Sequence, residues 1–215
     1  MPNPIVGIVF DLDGTLTIPG LINFPQLRRE IGCPEGHDII QFLSHQAQSA
    51  PDLARLGWEV VERHERRAAE GALANTGLYP LLEGLHHRRI PLAILTRNTR
   101  STVDLTLERL NIAPFFQVAV CREDTRPKPE PDGVLHAARH LGVDPRQVLM
   151  VGDWRDDVTA GSRAGAWTAW LRGPRQDEIP AGTDFEIHTL TDILGILSGD
   201  EGIWSPPIKV SQRRP

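Results

Sequence analysis

Two carboxylates stand two residues apart near the start of the chain, in the string Val9-Phe10-Asp11-Leu12-Asp13-Gly14-Thr15-Leu16-Thr17. Carboxylates this close repel, so they call for separation or for a neutralising cation. The apolar run Ile5 to Phe10 ahead of them has the length and branching of a buried strand. A strand ending in Asp-x-Asp presents charge at its C-terminal edge, where ligands bind in an open parallel sheet. Taken alone, Asp13-Gly14 reads as a common turn pair. The whole string favours a chemical role.

Three further stretches place reactive side chains in comparable positions. Leu92 to Leu95 runs into Thr96, Arg97 and Asn98, and Val148 to Val151 runs into Gly152 and Asp153, with Asp156 and Asp157 in the following turn. Between them lies Arg126-Pro127-Lys128-Pro129-Glu130-Pro131. Carboxylates, a hydroxyl and a proline-braced lysine thus meet at one sheet edge, and a divalent cation with an anionic ligand reconciles their charges. Asp11, Asp13 and Asp153 make an all-oxygen set suited to Mg²⁺. A phosphate would complete that shell, with Lys128, the Thr96 hydroxyl and exposed backbone N–H groups on its other oxygens. Each residue also has a plainer reading. Thr96 alone caps the next helix, and Asp156 and Asp157 are first-turn charges favoured by the helix dipole; for Asp156 that reading is preferred. Lys128 alone is a loop lysine, but the chain carries lysine only at Lys128 and Lys209, which turns the balance toward a role.

The elements that must position these groups follow from periodicity. After the first strand, helices are expected at Pro25 to Ile31, at Asp38 to Gln48 and from Pro51 onward. The last carries Leu53, Leu56, Val60, Val61 and His64 along one side, with Glu62, Arg63, Glu65, Arg66 and Arg67 on a solvated remainder. From Tyr79 the rhythm alternates. Helices are expected at Pro80 to Arg89, Thr99 to Leu110 (capped by Thr99 or Ser101), Pro131 to Leu141, Arg155 to Ala164 and Leu190 to Leu197. Strands are expected at Ile90 to Leu95, Phe116 to Val120, Gln147 to Val151, Trp167 to Leu171 and Phe185 to Ile187. The expected fold is α/β, a Rossmann-like parallel sheet with helices on both faces plus an inserted all-helical cap. Residues 1–17 and 78–200 form a discontinuous core domain, 18–77 the cap, and 201–215 an irregular tail that Trp204 and Ile208 weakly favour docking.

Composition bounds the function. The 215 residues are 40% hydrophobic and 24% charged, which suits a globular protein with a core. A net charge of -5 argues against a general nucleic-acid binder. No apolar run reaches the roughly 20 residues of a membrane span, and Met1-Pro2-Asn3-Pro4 makes a poor signal peptide. Two cysteines, Cys33 and Cys121, support neither a disulfide scaffold nor a cysteine metal site. A cytoplasmic location is expected, as a monomer or homodimer.

In this order, the four strings resemble the motifs of the haloacid dehalogenase-like superfamily of phosphohydrolases. Asp11-Leu12-Asp13-Gly14-Thr15 is similar to the first, Asp-x-Asp-Gly-Thr, and Ile94-Leu95-Thr96 to the second, an apolar strand ending in Thr or Ser. Lys128-Pro129 with Pro131 is similar to the third, and Gly152-Asp153-Trp154-Arg155-Asp156-Asp157 to the fourth, usually Gly-Asp-Ser-x-x-Asp. The resemblance spans the chain up to about Asp200. It implies Asp11 as nucleophile and Asp13 as proton donor and then acceptor. It implies Mg²⁺ on Asp11, the Asp13 backbone carbonyl and Asp153, with Thr96 and Lys128 steadying the transferred group. Thr15, Asn98 and Asp157 would support them, Asp157 by orienting Lys128 or a metal-bound water.

Departures narrow the choice. Haloacid dehalogenases lack the second acid, so Asp13 argues against dehalogenation. No lysine falls within 18–77, which removes the amine of imine-forming relatives. Transporting ATPases need membrane helices. Trp154 replaces the usual serine and either reshapes the site or packs under the cap. The expected enzyme hydrolyses a small-molecule phosphate ester and is similar to the phosphoglycolate phosphatase group. The rivals are a phosphomutase of the β-phosphoglucomutase type and a non-catalytic phosphate-ester binder. Arg28, Arg29, Arg66 and Arg67 are candidates for a distal anion, against the plainer reading of a solvated face.

Overall fold

The computed structural model describes residues 4–173 and 178–198; the expected tail at 201–215 lies outside them. Six parallel strands form one sheet in the order β3-β2-β1-β4-β5-β6. They are β1 (Gly7–Phe10), β2 (Leu92–Leu95), β3 (Val118–Val120), β4 (Val148–Gly152), β5 (Trp167–Leu171) and β6 (Phe185–Ile187). The chain leaves β1 to build β2 and β3 on one side, then crosses to build β4, β5 and β6 on the other. The C-terminal edge of β1 therefore lies at the switch point of a doubly wound sheet, where a crevice opens.

β1 is apolar throughout because both its faces are covered. Successive side chains point to opposite sides. Ile8 and Phe10 join a core with Leu81, Leu82 and Leu85 of α4 (Leu78–His87), Val103 and Leu107 of α5 (Arg100–Leu110) and Ile193 of α8 (Asp192–Ser198). Val9 joins the opposite core with Val134, Ala137 and Ala138 of α6 (Asp132–Leu141) and Ala160 of α7 (Arg155–Arg163). These strands and helices match the expected ones with ends shifted by a few residues. Thr99 precedes α5, but its hydroxyl meets those of Ser101 and Thr102 and caps no backbone group.

Between β1 and α4 the chain forms α1 (Phe24–Ile31), α2 (Ile39–Ser49) and α3 (Pro51–Glu70). The side chains of Asn23 and Asp38 start α1 and α2 by accepting the Gln26 and Gln41 N–H groups at 3.0 and 2.9 Å. Leu27, Leu43 and Val61 form a separate small core among the three helices. Val61 and His64 are buried as expected, but the first part of α3 turns a different side inward. Leu53 and Leu56 are 58% and 47% exposed, while Ala54, Gly57, Val61, His64, Glu65 and Ala68 are buried. Small residues at Ala54 and Gly57 let α2 approach closely: a Cβ on Gly57 would lie 2.4 Å from Leu43 Cδ2. The two chains joining this helical unit to the sheet run side by side, with an antiparallel bridge between Thr17 and Ala74. No helix among the described residues is long and apolar enough to cross a membrane.

Because Leu43 is fully buried in a core with few members, Leu43→Ala should destabilise the helical unit by about 2–5 kcal/mol. Amide hydrogen exchange should accelerate in α1–α3 more than in the sheet; equal acceleration in both would contradict a separate core.

Candidate active site

Asp11 follows β1 directly, and its N–H donates to the Val151 carbonyl of β4 at 2.8 Å. The chain then winds into an irregular turn, Leu12–Leu16. Gly14 sits there at φ +83°, and a Cβ on it would lie 2.4 Å from Asp153 Oδ2, so this glycine supplies both the backbone conformation and the space for a carboxylate. Thr15 Oγ1 donates to Asp11 Oδ2 at 3.4 Å. Asn75, at the far end of the helical unit, donates from Nδ2 to the Gly14 and Thr15 carbonyls at 3.0 and 2.9 Å. The Asp11 turn is thereby tied to the neck of that unit.

Lys128 closes the arrangement. Its buried ammonium donates to Asp11 Oδ1 at 2.5 Å, to Asp157 Oδ1 at 2.6 Å and to the Leu95 carbonyl at 3.0 Å. These acceptors come from the ends of β1 and β2 and from α7. The other Asp157 oxygen accepts the Trp154 N–H at 3.0 Å. A Cβ at Gly152 would lie 2.2 Å from Asp157 Oδ2, so only glycine admits that carboxylate beside the strand end. Asp13 points elsewhere: its Oδ2 accepts from Asn98 Nδ2 at 2.6 Å. Thr96 is buried beside them, and its Oγ1 accepts the Asn98 N–H at 3.2 Å.

The electrostatics follow from this crowding. Burial, helped by the charge of Asp11, pushes the Asp13 carboxyl up to about 6 against the Asn98 hydrogen bond. Burial and the charges of Asp11 and Asp157 push Asp153 up to about 8. Burial also raises Asp157 to about 6, with Lys128 opposing. For Lys128, burial alone would favour loss of the proton, but the Asp11 and Asp157 carboxylates outweigh it and hold the ammonium above its usual range. One ammonium among four carboxylates leaves the cluster short of positive charge.

Asp11, Asp153 and Asp157 each offer an oxygen within 4.8 Å of the others. An all-carboxylate set is hard and fits a small divalent cation. These three carboxylates are the side chains that could hold it, and Asp157 also bridges the Lys128 ammonium and the Trp154 N–H. The structure brings Asp11, Thr15, Lys128, Asp153 and Asp157 together as expected, and sets Asp13, Thr96 and Asn98 beside them.

Above this cluster lies a cavity of about 730 Å³, lined by the strand ends and by α1, α2 and α3. Arg28 and Arg29 line it. Arg66 and Arg67 do not; they project to solvent from α3, which corrects their candidacy. Arg28 Nη1 donates to the Pro34 and His37 carbonyls at 3.1 and 2.5 Å, so it also staples the α1–α2 connection. Two lining residues were not singled out from sequence. Glu65, expected among solvated charges, is buried, and both its oxygens accept from Arg122 Nη2, at 2.8 and 2.5 Å. Burial pushes its carboxyl up to about 7 even with that partner. The Arg122 guanidinium also lies 4.8 Å from the Trp58 ring. No local signal marks this pair, since it joins α3 to the loop after β3. Trp154 lines the cavity and is 57% exposed, which places it at the rim.

A family model described as haloacid dehalogenase-like hydrolase matches residues 8–171. A haloacid dehalogenase-like hydrolase domain-containing protein of Arabidopsis thaliana is 31% identical over 209 residues, covering 89% of this chain and 83% of that protein. Phosphoglycolate phosphatase of Escherichia coli is 29% identical over 199 residues, covering 75% and 79%. Among solved structures, a family IA hydrolase of Entamoeba histolytica matches with a TM-score of 0.72 at 19% identity, covering 91% of this chain and all of that one, and shows the same fold.

A buried carboxyl with a raised pKa binds its proton more tightly folded than unfolded, so metal-free stability should fall as pH rises from about 4 toward 8. A divalent cation gives the charged forms a partner. Its gain in thermal midpoint should therefore be larger at pH 8 than at pH 5, and Asp153→Asn should raise the metal-free midpoint at pH 8 while removing most of that gain. An equal gain at both pH values would contradict this.

Proposed function

Because the chain belongs to the haloacid dehalogenase-like hydrolases, we propose that it is a Mg²⁺-dependent phosphohydrolase that cleaves a small-molecule phosphate monoester through an aspartyl-phosphate on Asp11. The observation that carries this reading is the division of labour between the two carboxylates of one turn. Asp11 is held by Lys128 and Thr15, while Asp13 is held apart by Asn98 with its pKa raised to about 6. Such a pair suits one nucleophile and one acid.

In the first step an Asp11 oxygen forms a bond to phosphorus, and the bond to the ester oxygen breaks. Asp13 gives its proton to that leaving oxygen. In the second step Asp13 takes a proton from water as the water oxygen bonds to phosphorus, and the Asp11–phosphorus bond breaks to release inorganic phosphate. Lys128 and the Thr96 hydroxyl donate to the transferred oxygens, where preformed donors act without reorganisation. Asp11, the Asp13 backbone carbonyl and Asp153 would hold Mg²⁺, which when bound offsets the charge gathered at phosphorus. Asp157 orients Lys128 and the Trp154 backbone, and α1–α3, within residues 18–77, act as the cap over a core of 1–17 and 78–200. The cap excludes bulk water and shapes the leaving-group side. The E. coli relative's name supports a small organic phosphate as substrate.

With Mg²⁺ and a panel of phosphate monoesters, inorganic phosphate should be released. Asp11→Asn should reduce release to background, and Asp13→Asn should lower kcat by about 10²–10⁴-fold. No turnover above the Asp11→Asn variant would overturn the reading. Phosphoryl transfer between substrate hydroxyls without phosphate release would identify a mutase instead.

A further inference from the structure

Arg97 follows Thr96 at the end of β2, and its guanidinium reaches both sides of the cleft. Nη1 donates to Asp38 Oδ2 at 2.7 Å; Nη2 donates to Asp156 Oδ2 at 2.7 Å and to the Lys128 main-chain carbonyl. Asp38 belongs to the helical unit, where its other oxygen starts α2. Asp156 lies in the first turn of α7. One planar group therefore joins the helical unit, α7 and the segment that carries the site lysine.

We propose that Arg97 is a positioning residue that couples the seating of α1–α3 over the cleft to the placement of Lys128 against Asp11. This rests on the reading of Asp11 and Lys128 as the reacting pair. A guanidinium is a rigid fork, so the nitrogens cannot reorient independently. Losing Asp38 from Nη1 lets the fork turn, and the turn withdraws Nη2 from the Lys128 carbonyl. The Lys128 ammonium reaches Asp11, at 2.5 Å, from that backbone, so a shift of the backbone displaces it relative to that carboxylate. The second bridge across the cleft, Arg122 to Glu65, holds α3 but makes no bond to Lys128 or Asp11. Arg97 is thus the bridge wired to the site.

The test compares Asp38→Asn, Arg97→Gln and the double variant of the full chain. Asparagine keeps an oxygen for the Gln41 N–H, so α2 still starts normally. With Mg²⁺ and a turned-over phosphate monoester, Asp38→Asn should lower kcat about 10-fold and Arg97→Gln up to about 100-fold, with KM changed no more than about 2-fold. The double variant should be no slower than Arg97→Gln alone. Amide hydrogen exchange across 126–135 should accelerate in Asp38→Asn, although that substitution lies in the helical unit. Unchanged exchange there, a cost of Asp38→Asn that persists in full without Arg97, or a rise in KM with kcat unaltered would each overturn the proposal. The exchange measurement needs no turnover. Accelerated exchange in a chain without phosphatase activity would leave the coupling standing and sink only the phosphohydrolase reading.

Discussion

The Lys128 ammonium is the contact on which the rest of the site depends. It draws together Asp11 after β1, the Leu95 carbonyl of β2 and Asp157 of α7, so one positive charge holds the ends of separate elements in a fixed relation. Burying an ammonium or a carboxylate alone costs several kcal/mol, and the pairing offsets that only when the geometry is close and the remaining donors are satisfied. Here all three ammonium donors have acceptors within hydrogen-bond reach. Removing the lysine would leave buried, mutually repelling carboxylates, which is costlier than never having built the pair.

One cation does not balance the cluster. Asp13, Asp153 and Asp157 all keep raised pKa values despite Lys128. That residual demand for positive charge is what makes the site receptive to a divalent ion. Within the same buried cluster the two carboxylates of one turn have different partners, because Asp13 turns to Asn98 while Asp11 turns to Lys128. The scaffold tolerates the cost because it is otherwise consistent: both sheet faces are covered by apolar helices, and the site's charged groups sit where the strands end.

The helical unit is bound to this chemistry at its neck and at its rim. At the neck, Asn75 holds the carbonyls of the Asp11 turn, so movement of the unit acts on the loop that carries Asp11. At the rim, arginines rise from the sheet edge to meet carboxylates of the helices, Arg97 with Asp38 and Arg122 with Glu65. A cavity closed in this way holds less water, and charges inside it interact more strongly.

The strands, the helices and the site's local strings were legible in the chain because their signals are local. An apolar run followed by Asp11 and Asp13, or by Gly152 and Asp153, carries its own evidence of a strand ending in charge. The side buried in the first part of α3 was not legible, since Leu53 and Leu56 offer a stripe as apolar as the true one. Ala54 and Gly57 prevail because α2 must come close enough for Leu43 to fill the space, and that is a property of two helices together. Glu65 looked like one more charge on a solvated face until the loop after β3 brought Arg122 beneath it. By itself, then, the sequence determined the family, the parallel sheet and the strings whose side chains gather at the strand ends, because periodicity and short motifs encode them within a few residues. Only the tertiary structure decided which arginines face the cavity, which carboxylate the lysine shares and how the helical unit is fastened, because those are pairings between residues 29 to 117 positions apart, and through-space electrostatics in a buried site depends on distance, not on order along the chain.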